Sequence, residues 1–185
     1  MKHDVDGIAD IALDLLNEVG LEGLSTRRLA IELDVKGPAL YHYFRNKNEL
    51  LDHMAAAMLS ATLAQVGPQP GWEGWLTGLG HETRQMILRY RDGARLLSAT
   101  SPMGPARARL FPLYAQPLVD AGFSRGEAGE AVGMMQCLVL GWTLHEQDAA
   151  MHQHMTEIFN VEAAFHNSLE AMVVGLAVRR GLRTA

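Results

Sequence analysis

The sequence predicts an all-α protein, with a three-helix helix-turn-helix segment at the N-terminus followed by a larger helical body. Three observations carry that prediction. Apolar residues recur at the i, i+3, i+4, i+7 spacing of a helix in almost every segment, and no strand-like alternation of useful length is found. Glycine and proline clusters punctuate the chain at intervals that suit helices. Positive charge gathers in one short stretch, although the 185-residue chain has a net charge of −5. Residues 1–23 sum to −5, residues 24–48 to +3 and residues 49–185 to −3. A weakly acidic body with one basic face limits non-specific sticking and keeps a surface for phosphate.

The first helix spans Val5 to Val19, with Ile8, Ile11, Ala12, Leu15, Leu16 and Val19 on one face and Gly20 as its C-cap. Ser25 is placed to cap a second helix whose inner face is Leu29, Ala30 and Leu33. Asp34 to Gly37 is the turn, and Pro38 stands in the first turn of a short third helix running to Lys47, where proline is tolerated best. Leu40, Phe44, Leu50 and Leu51 read as core. Asn46 caps a helix from Lys47 to about Val66, and Gly67-Pro68-Gln69-Pro70-Gly71 breaks it. Trp72 to Arg91 follows, bent at Asp92-Gly93, then a short helix from Ala94 to Ala99 and a loop from Thr100 to Pro105. Ala106 to Ala121 is helical but fragmented by Pro112 and Pro117. Arg125 to about Asp148 is a long helix, apolar nearly all round from Ala131 to Leu144. His152 and His154 lie in a polar segment read as a solvated loop, and Val161 to about Arg179 is the last helix. Its stripe of Val161, Ala164, Phe165, Leu169, Met172 and Leu176, beside small residues at Ser168, Ala171 and Gly175, suits pairing with a second copy.

The chemistry of the basic stretch points to duplex DNA. A helix-turn-helix braces one helix on the backbone and offers the next to a major groove about 12 Å wide. Ser25 and Thr26 open a helix, where hydroxyls and free N–H groups receive a phosphate. Arg27 can span a guanine edge with both ends of its guanidinium, and Ala39 suits a thymine methyl. Tyr41 and Tyr43 can bond phosphates, His42 a base edge or a phosphate, and Lys36 and Lys47 flank the helix as further phosphate contacts. Gly37 and Pro38 complete the expected DNA-facing set.

Leu24-Ser25-Thr26-Arg27-Arg28-Leu29-Ala30, then Leu40-Tyr41-His42-Tyr43-Phe44-Arg45-Asn46-Lys47 and Leu50-Leu51, resemble the TetR family of bacterial one-component repressors. Weaker likeness to its tetracycline-repressor branch continues through Leu15-Leu16-Asn17-Glu18-Val19-Gly20, Arg91-Asp92-Gly93-Ala94, Gly122-Phe123-Ser124 and Leu140-Gly141. The resemblance implies a DNA-binding domain at 1–47, a ligand-binding and dimerisation domain at 48–185, and a homodimer on a near-palindromic operator. It also implies departures. Where the tetracycline branch has a base-reading glutamine, this chain has Gly37, so selectivity shifts toward Lys36, Arg27 and His42. The branch holds a magnesium–drug chelate with histidines, an asparagine and a glutamate. The corresponding places here are Leu63, Leu79, Leu97, Cys137 and His145, with Thr100 kept. A leucine cannot ligate a metal, so magnesium–tetracycline is not the expected effector.

The expected effector site is apolar and sulfur-rich: Leu63, Met86, Leu97, Thr100, Met103, Leu113, Tyr114, Met134, Cys137, Leu138, Trp142 and His145. Methionine adapts to irregular apolar ligands, and Thr100, Tyr114 and His145 could orient one. No cofactor motif, metal set, nucleophile elbow, phosphate loop or paired-carboxylate arrangement is found, so no enzyme is expected. The single cysteine rules out an internal disulfide and suits a reducing cytoplasm. No apolar run approaches the roughly 20 residues of a membrane span, and no signal peptide is read. Two rival readings stay open at this point: a helical small-molecule-binding protein or enzyme without DNA, and an activator or co-repressor-dependent regulator.

Overall fold

The computed structural model describes residues 4–100 and 104–181. Those residues form eleven α-helices and no strands. They are α1 (Val5–Gly23), α2 (Thr26–Glu32), α3 (Gly37–Leu40), α4 (Lys47–Gln65), α5 (Gly71–Leu88), α6 (Gly93–Ala99), α7 (Pro105–Ala108), α8 (Phe111–Asp120), α9 (Arg125–Gln147), α10 (Ala149–Ile158) and α11 (Val161–Arg179). The chain divides into two compact units, Met1–Ala61 with Met86–Phe111, and Thr62–Gln85 with Pro112–Ala185.

Side-chain caps set most helix starts. Asp4, Ser25, Asp148 and Asn160 each accept a backbone N–H three residues on, which satisfies a donor that the helix leaves orphaned. Ser124 and Glu127 form a reciprocal capping box on α9. Within α1, Gly20 takes φ +69°, so the regular helix stops there and a further turn runs to Gly23. Pro112 sits in the first turn of α8, so α7 and α8 are separate pieces, whereas Pro117 lies inside α8 without ending it. His152 and His154 fall on α10 and not in a loop; Asp148 caps that helix and Met155 is its buried residue.

The first unit has a core of Ile8, Leu16, Leu24, Leu29, Leu40, Leu50, Met54, Met58 and Ile87, all almost completely buried. Polar ties bind the end of α1 to the Asp92–Gly93 bend in the same unit. The Asp92 carboxylate accepts the Leu21 N–H at 2.9 Å, and Asn17 accepts the Arg91 N–H at 2.8 Å. Asp92 has φ +59°, so it holds a left-handed position that glycine usually fills.

The second unit is built on Leu76, Leu79, Tyr114, Leu118, Met135, Phe165 and Leu169. A buried ionic group sits within it. Arg84 bonds Glu146 through two N–H groups, at 2.8 and 2.6 Å, and Glu162 through two more, both at 2.7 Å. The Arg84 and Glu146 side chains are each 5% exposed, while Glu162 is 74% exposed. The hydrogen bonds that Arg84 donates to Glu146 hold the guanidinium firmly charged, and Arg84 holds the Glu162 carboxyl below the usual carboxylate range. The α9 stretch expected to be covered all round buries Ala131, Val132, Met135, Val139 and Thr143 but exposes Met134, Cys137 and Gly141. Along α11, Val161, Phe165, Leu169 and Leu176 are buried as the stripe predicts, joined by Val173, while Met172 is only half-buried.

Candidate nucleic-acid interface

A small glycine-free turn sets the exposure of α3. Leu33 ends α2, Asp34 takes φ +52°, and the N–H groups of Asp34 and Val35 bond the carbonyls of Ile31 and Ala30 at 3.0 and 2.9 Å. This is a Schellman closure with aspartate at the left-handed position. It frees Gly37 from any conformational duty. Gly37 is the first residue of α3 with no positive φ, and a Cβ added there would meet nothing within 4 Å.

The regular helix is shorter than the sequence pattern predicts. It ends at Leu40 and tightens into i→i+3 turns, with the N–H groups of Tyr41, His42 and Tyr43 bonding Pro38, Ala39 and Leu40. Leu40 and Phe44 face inward, 3% and 4% exposed, and Phe44 packs edge-on to His53 at 5.5 Å. The other face is open. Arg27, Lys36, Gly37, Pro38, Tyr41, His42 and Lys47 are exposed, and Ser25, Thr26, Ala39 and Tyr43 are half-buried. All eleven residues expected to face DNA therefore have accessible surface in one unit.

Two of them also have structural work. The Ser25 hydroxyl accepts the Arg28 N–H at 3.2 Å as the cap of α2. The Lys47 ammonium donates to the Leu24 carbonyl at 2.7 Å, tying the start of α4 to the end of α1. Asn46 and Glu49 close the start of α4: Asn46 accepts the Glu49 N–H at 3.0 Å, and Glu49 accepts the Arg45 N–H at 2.6 Å.

The residues expected to line an effector site are spread over both units. In the first, Met86, Leu97 and Thr100 are buried. The Thr100 hydroxyl donates to the Leu97 carbonyl at 3.0 Å and accepts from Arg107 at 2.7 Å, so it already serves to finish α6. In the second, Tyr114 is buried, and its carbonyl accepts the Trp75 indole N–H at 3.0 Å. Leu63, Leu138 and Trp142 are half-buried, and Leu113, Met134, Cys137 and His145 are exposed. Met103 lies outside the described residues. A cleft of about 100 Å³ in the second unit is lined by Phe123, Glu127, Glu130, Met134, Leu176, Arg179 and Arg180. Among the described residues, only Met134 of the expected set reaches it, and it is smaller than the roughly 300–1,000 Å³ that small-molecule sites occupy.

Among the described residues, no group of three or more metal-ligating side chains converges, and no helix is long and apolar enough to cross a membrane. Sequence reasoning missed the Arg84 group and the Asp34 and Asp92 backbone positions. No local pattern announces a charge meeting partners 62 and 78 residues away.

Comparison with known proteins agrees with this geometry. The model of bacterial regulatory proteins, tetR family, matches residues 8–54, and the tetracyclin repressor-like C-terminal domain matches residues 67–157. The chain is 38% identical over 191 residues to the Escherichia coli tetracycline repressor protein class A from transposon 1721, covering 91% of this chain and 88% of that one. A variant of TetR from Acinetobacter baumannii AYE, solved with minocycline, matches with a TM-score of 0.78 and 34% identity over 100% of both chains. BioQ bound to its double-stranded DNA operator matches with a TM-score of 0.71 and 27% identity, over 96% of this chain and 99% of that one. The chain belongs to the TetR family: it is a homodimeric, helix-turn-helix DNA-binding transcriptional regulator that responds to a small molecule.

Proposed function

We propose that the chain represses transcription from a near-palindromic operator and leaves it when a largely apolar small molecule binds. The observation that carries the DNA half is the one-sided exposure around α3: Arg27, Lys36, Tyr41, His42 and Lys47 are open, while Leu40 and Phe44 are buried beneath them. Residues 1–47 read DNA and residues 48–185 bind the effector and dimerise, with the open Met134–Cys137–Gly141 face of α9 and the small residues of α11 turned to the second copy. Arg27 and His42 read base edges; Ser25, Thr26, Lys36, Tyr41, Tyr43 and Lys47 hold phosphates. The two α3 segments of the dimer stand about one DNA turn apart, 34–36 Å, and the effector favours a conformer with another spacing.

The relatives named for tetracycline do not transfer their ligand here. Leu63, Leu79 and Leu97 replace polar groups, and the Thr100 hydroxyl is already bonded on both sides. The effector is expected to be apolar, drug-like or a natural product, and the chain works in the cytoplasm without catalysing a reaction.

Gel-shift titration on the DNA upstream of its own coding sequence tests the reading. Binding is expected to fall steeply with salt, as phosphate contacts require. Arg27→Ala should cost about 1–3 kcal/mol on the cognate site and less on scrambled DNA; equal losses on both would reject a base-reading role. Release by charged or sugar-like compounds only would overturn the apolar effector. Gly37→Gln carries a further prediction. Open space around Gly37 accepts the longer side chain, so stability should change by less than about 0.5 kcal/mol. Operator preference should move toward sites with adenine opposite position 37, because glutamine pairs with adenine through two hydrogen bonds. A systematic half-site binding series reads this directly.

A further inference from the structure

We propose that His81 and His166 form an acid-sensitive clasp between α5 and α11. His81 Nε2 and His166 Nδ1 stand 3.1 Å apart. The two rings are stacked, with centroids 5.3 Å apart and planes 29° from parallel. His81 also meets the buried Phe165 ring edge-on at 5.4 Å, so its position is fixed by packing as well as by the bond.

The chemistry of the pair limits its proton count. A hydrogen bond between two imidazole nitrogens needs one N–H and one lone pair, whichever ring supplies the proton. A neutral pair satisfies this, and a singly protonated pair satisfies it after a tautomer change. A doubly protonated pair places two N–H groups and two positive charges face to face, and the clasp opens.

The charged groups around His81 decide when that happens. Arg84 lies one turn along α5, and His166 faces it from α11; both oppose a charge on His81. Glu82 on α5 and Glu162 on α11 favour one. Glu162 is occupied, however, since both its oxygens accept from Arg84, whose other bonds go to Glu146 of α9. Burial, then His166, then Arg84 hold the His81 imidazole below its ordinary range. A histidine whose folded-state value is depressed contributes stability that is complete above its unfolded value, about 6.5, and that is lost as pH falls below it. The α5–α11 tie is therefore firm at neutral pH and loosens in acid. Because α11 carries the open stripe of small residues, acid reaches the C-terminal helix of each protomer through this contact.

A double-mutant cycle on the full chain tests the clasp, using His81→Phe, His166→Phe and both together in urea unfolding at fixed protein concentration. At pH 7.5 the coupling should be about fivefold in the unfolding equilibrium constant, the size of one neutral hydrogen bond. At a pH low enough that both rings are charged, as imidazole ¹⁵N spectra report, it should fall to about onefold. A coupling absent at pH 7.5, or unchanged when both rings are charged, would overturn the proposal. Imidazole ¹⁵N spectra of the unmutated protein give a second reading that needs no variant. His81 should titrate below the ordinary imidazole value of about 6.5; titration of His81 at or above 6.5 would sink the clasp.

Discussion

Arg84→Met is expected to lower the unfolding free energy by about 3–5 kcal/mol, the cost of leaving a buried charge without its partner. The stranded group is Glu146, whose side chain is 5% exposed and whose two oxygens both accept from Arg84. Glu162 contributes little to that figure. Its side chain is 74% exposed, and water takes over its solvation once Arg84 is gone, so that pair alone falls within the 0–1 kcal/mol of a surface ion pair. The two bridges look alike by distance, at 2.6 and 2.7 Å, and differ in energy through burial alone. Adding Glu146→Leu to Arg84→Met should recover most of the loss, since an apolar replacement of the whole pair leaves no uncompensated charge. Urea unfolding of the unmutated chain and the two variants at one concentration checks both statements. A loss below 1 kcal/mol for Arg84→Met would mean that water reaches Glu146 in the folded state.

Phe165→Ala is expected to cost a similar amount, about 3–5 kcal/mol, by a different route. The ring is fully buried. It meets His81 and Trp142 edge-on at 5.4 and 6.0 Å and carries the Arg84 guanidinium 4.8 Å above its centroid. Truncation opens a cavity under three side chains at once and removes the cation–π contact. The two substitutions share that contact, so their combined effect should fall short of the sum. Full additivity in the double variant would mean that Arg84 draws nothing from the ring.

Much of the fold was legible because the relevant signals are local. Ser25 and Asn46 close helix starts, and Gly67 to Gly71 and the Asp92–Gly93 pair interrupt helices, where the pattern places them. The core positions Leu40, Phe44, Leu50 and Leu51 follow from helical period. The short α3 was overextended because Tyr41, His42 and Tyr43 keep the period while their backbone tightens into i→i+3 turns. Helix α10 was missed because its polar composition resembles a loop, although Asp148 caps it and Met151, Met155 and Ile158 follow at helical spacing. The residues expected to face DNA all have accessible surface in one unit because they lie within one short motif. The expected effector site has no such local frame. Its candidates come from five helices and the segments between them, and the order in which a chain brings distant side chains together is a property of packing that no local pattern records.

The turn after α2 has a consequence for how this regulator changes over generations. Its left-handed position is filled by Asp34, and its hydrogen bonds are made by backbone. Position 37, exposed at the start of α3 with open space around it, therefore carries no share of the folding problem. Under the proposed reading, substitutions there change operator choice and leave folding untouched. A lineage of such proteins can part company in target sequence one residue at a time, each step neutral to the scaffold, so duplicated copies can acquire separate operators before either becomes unstable.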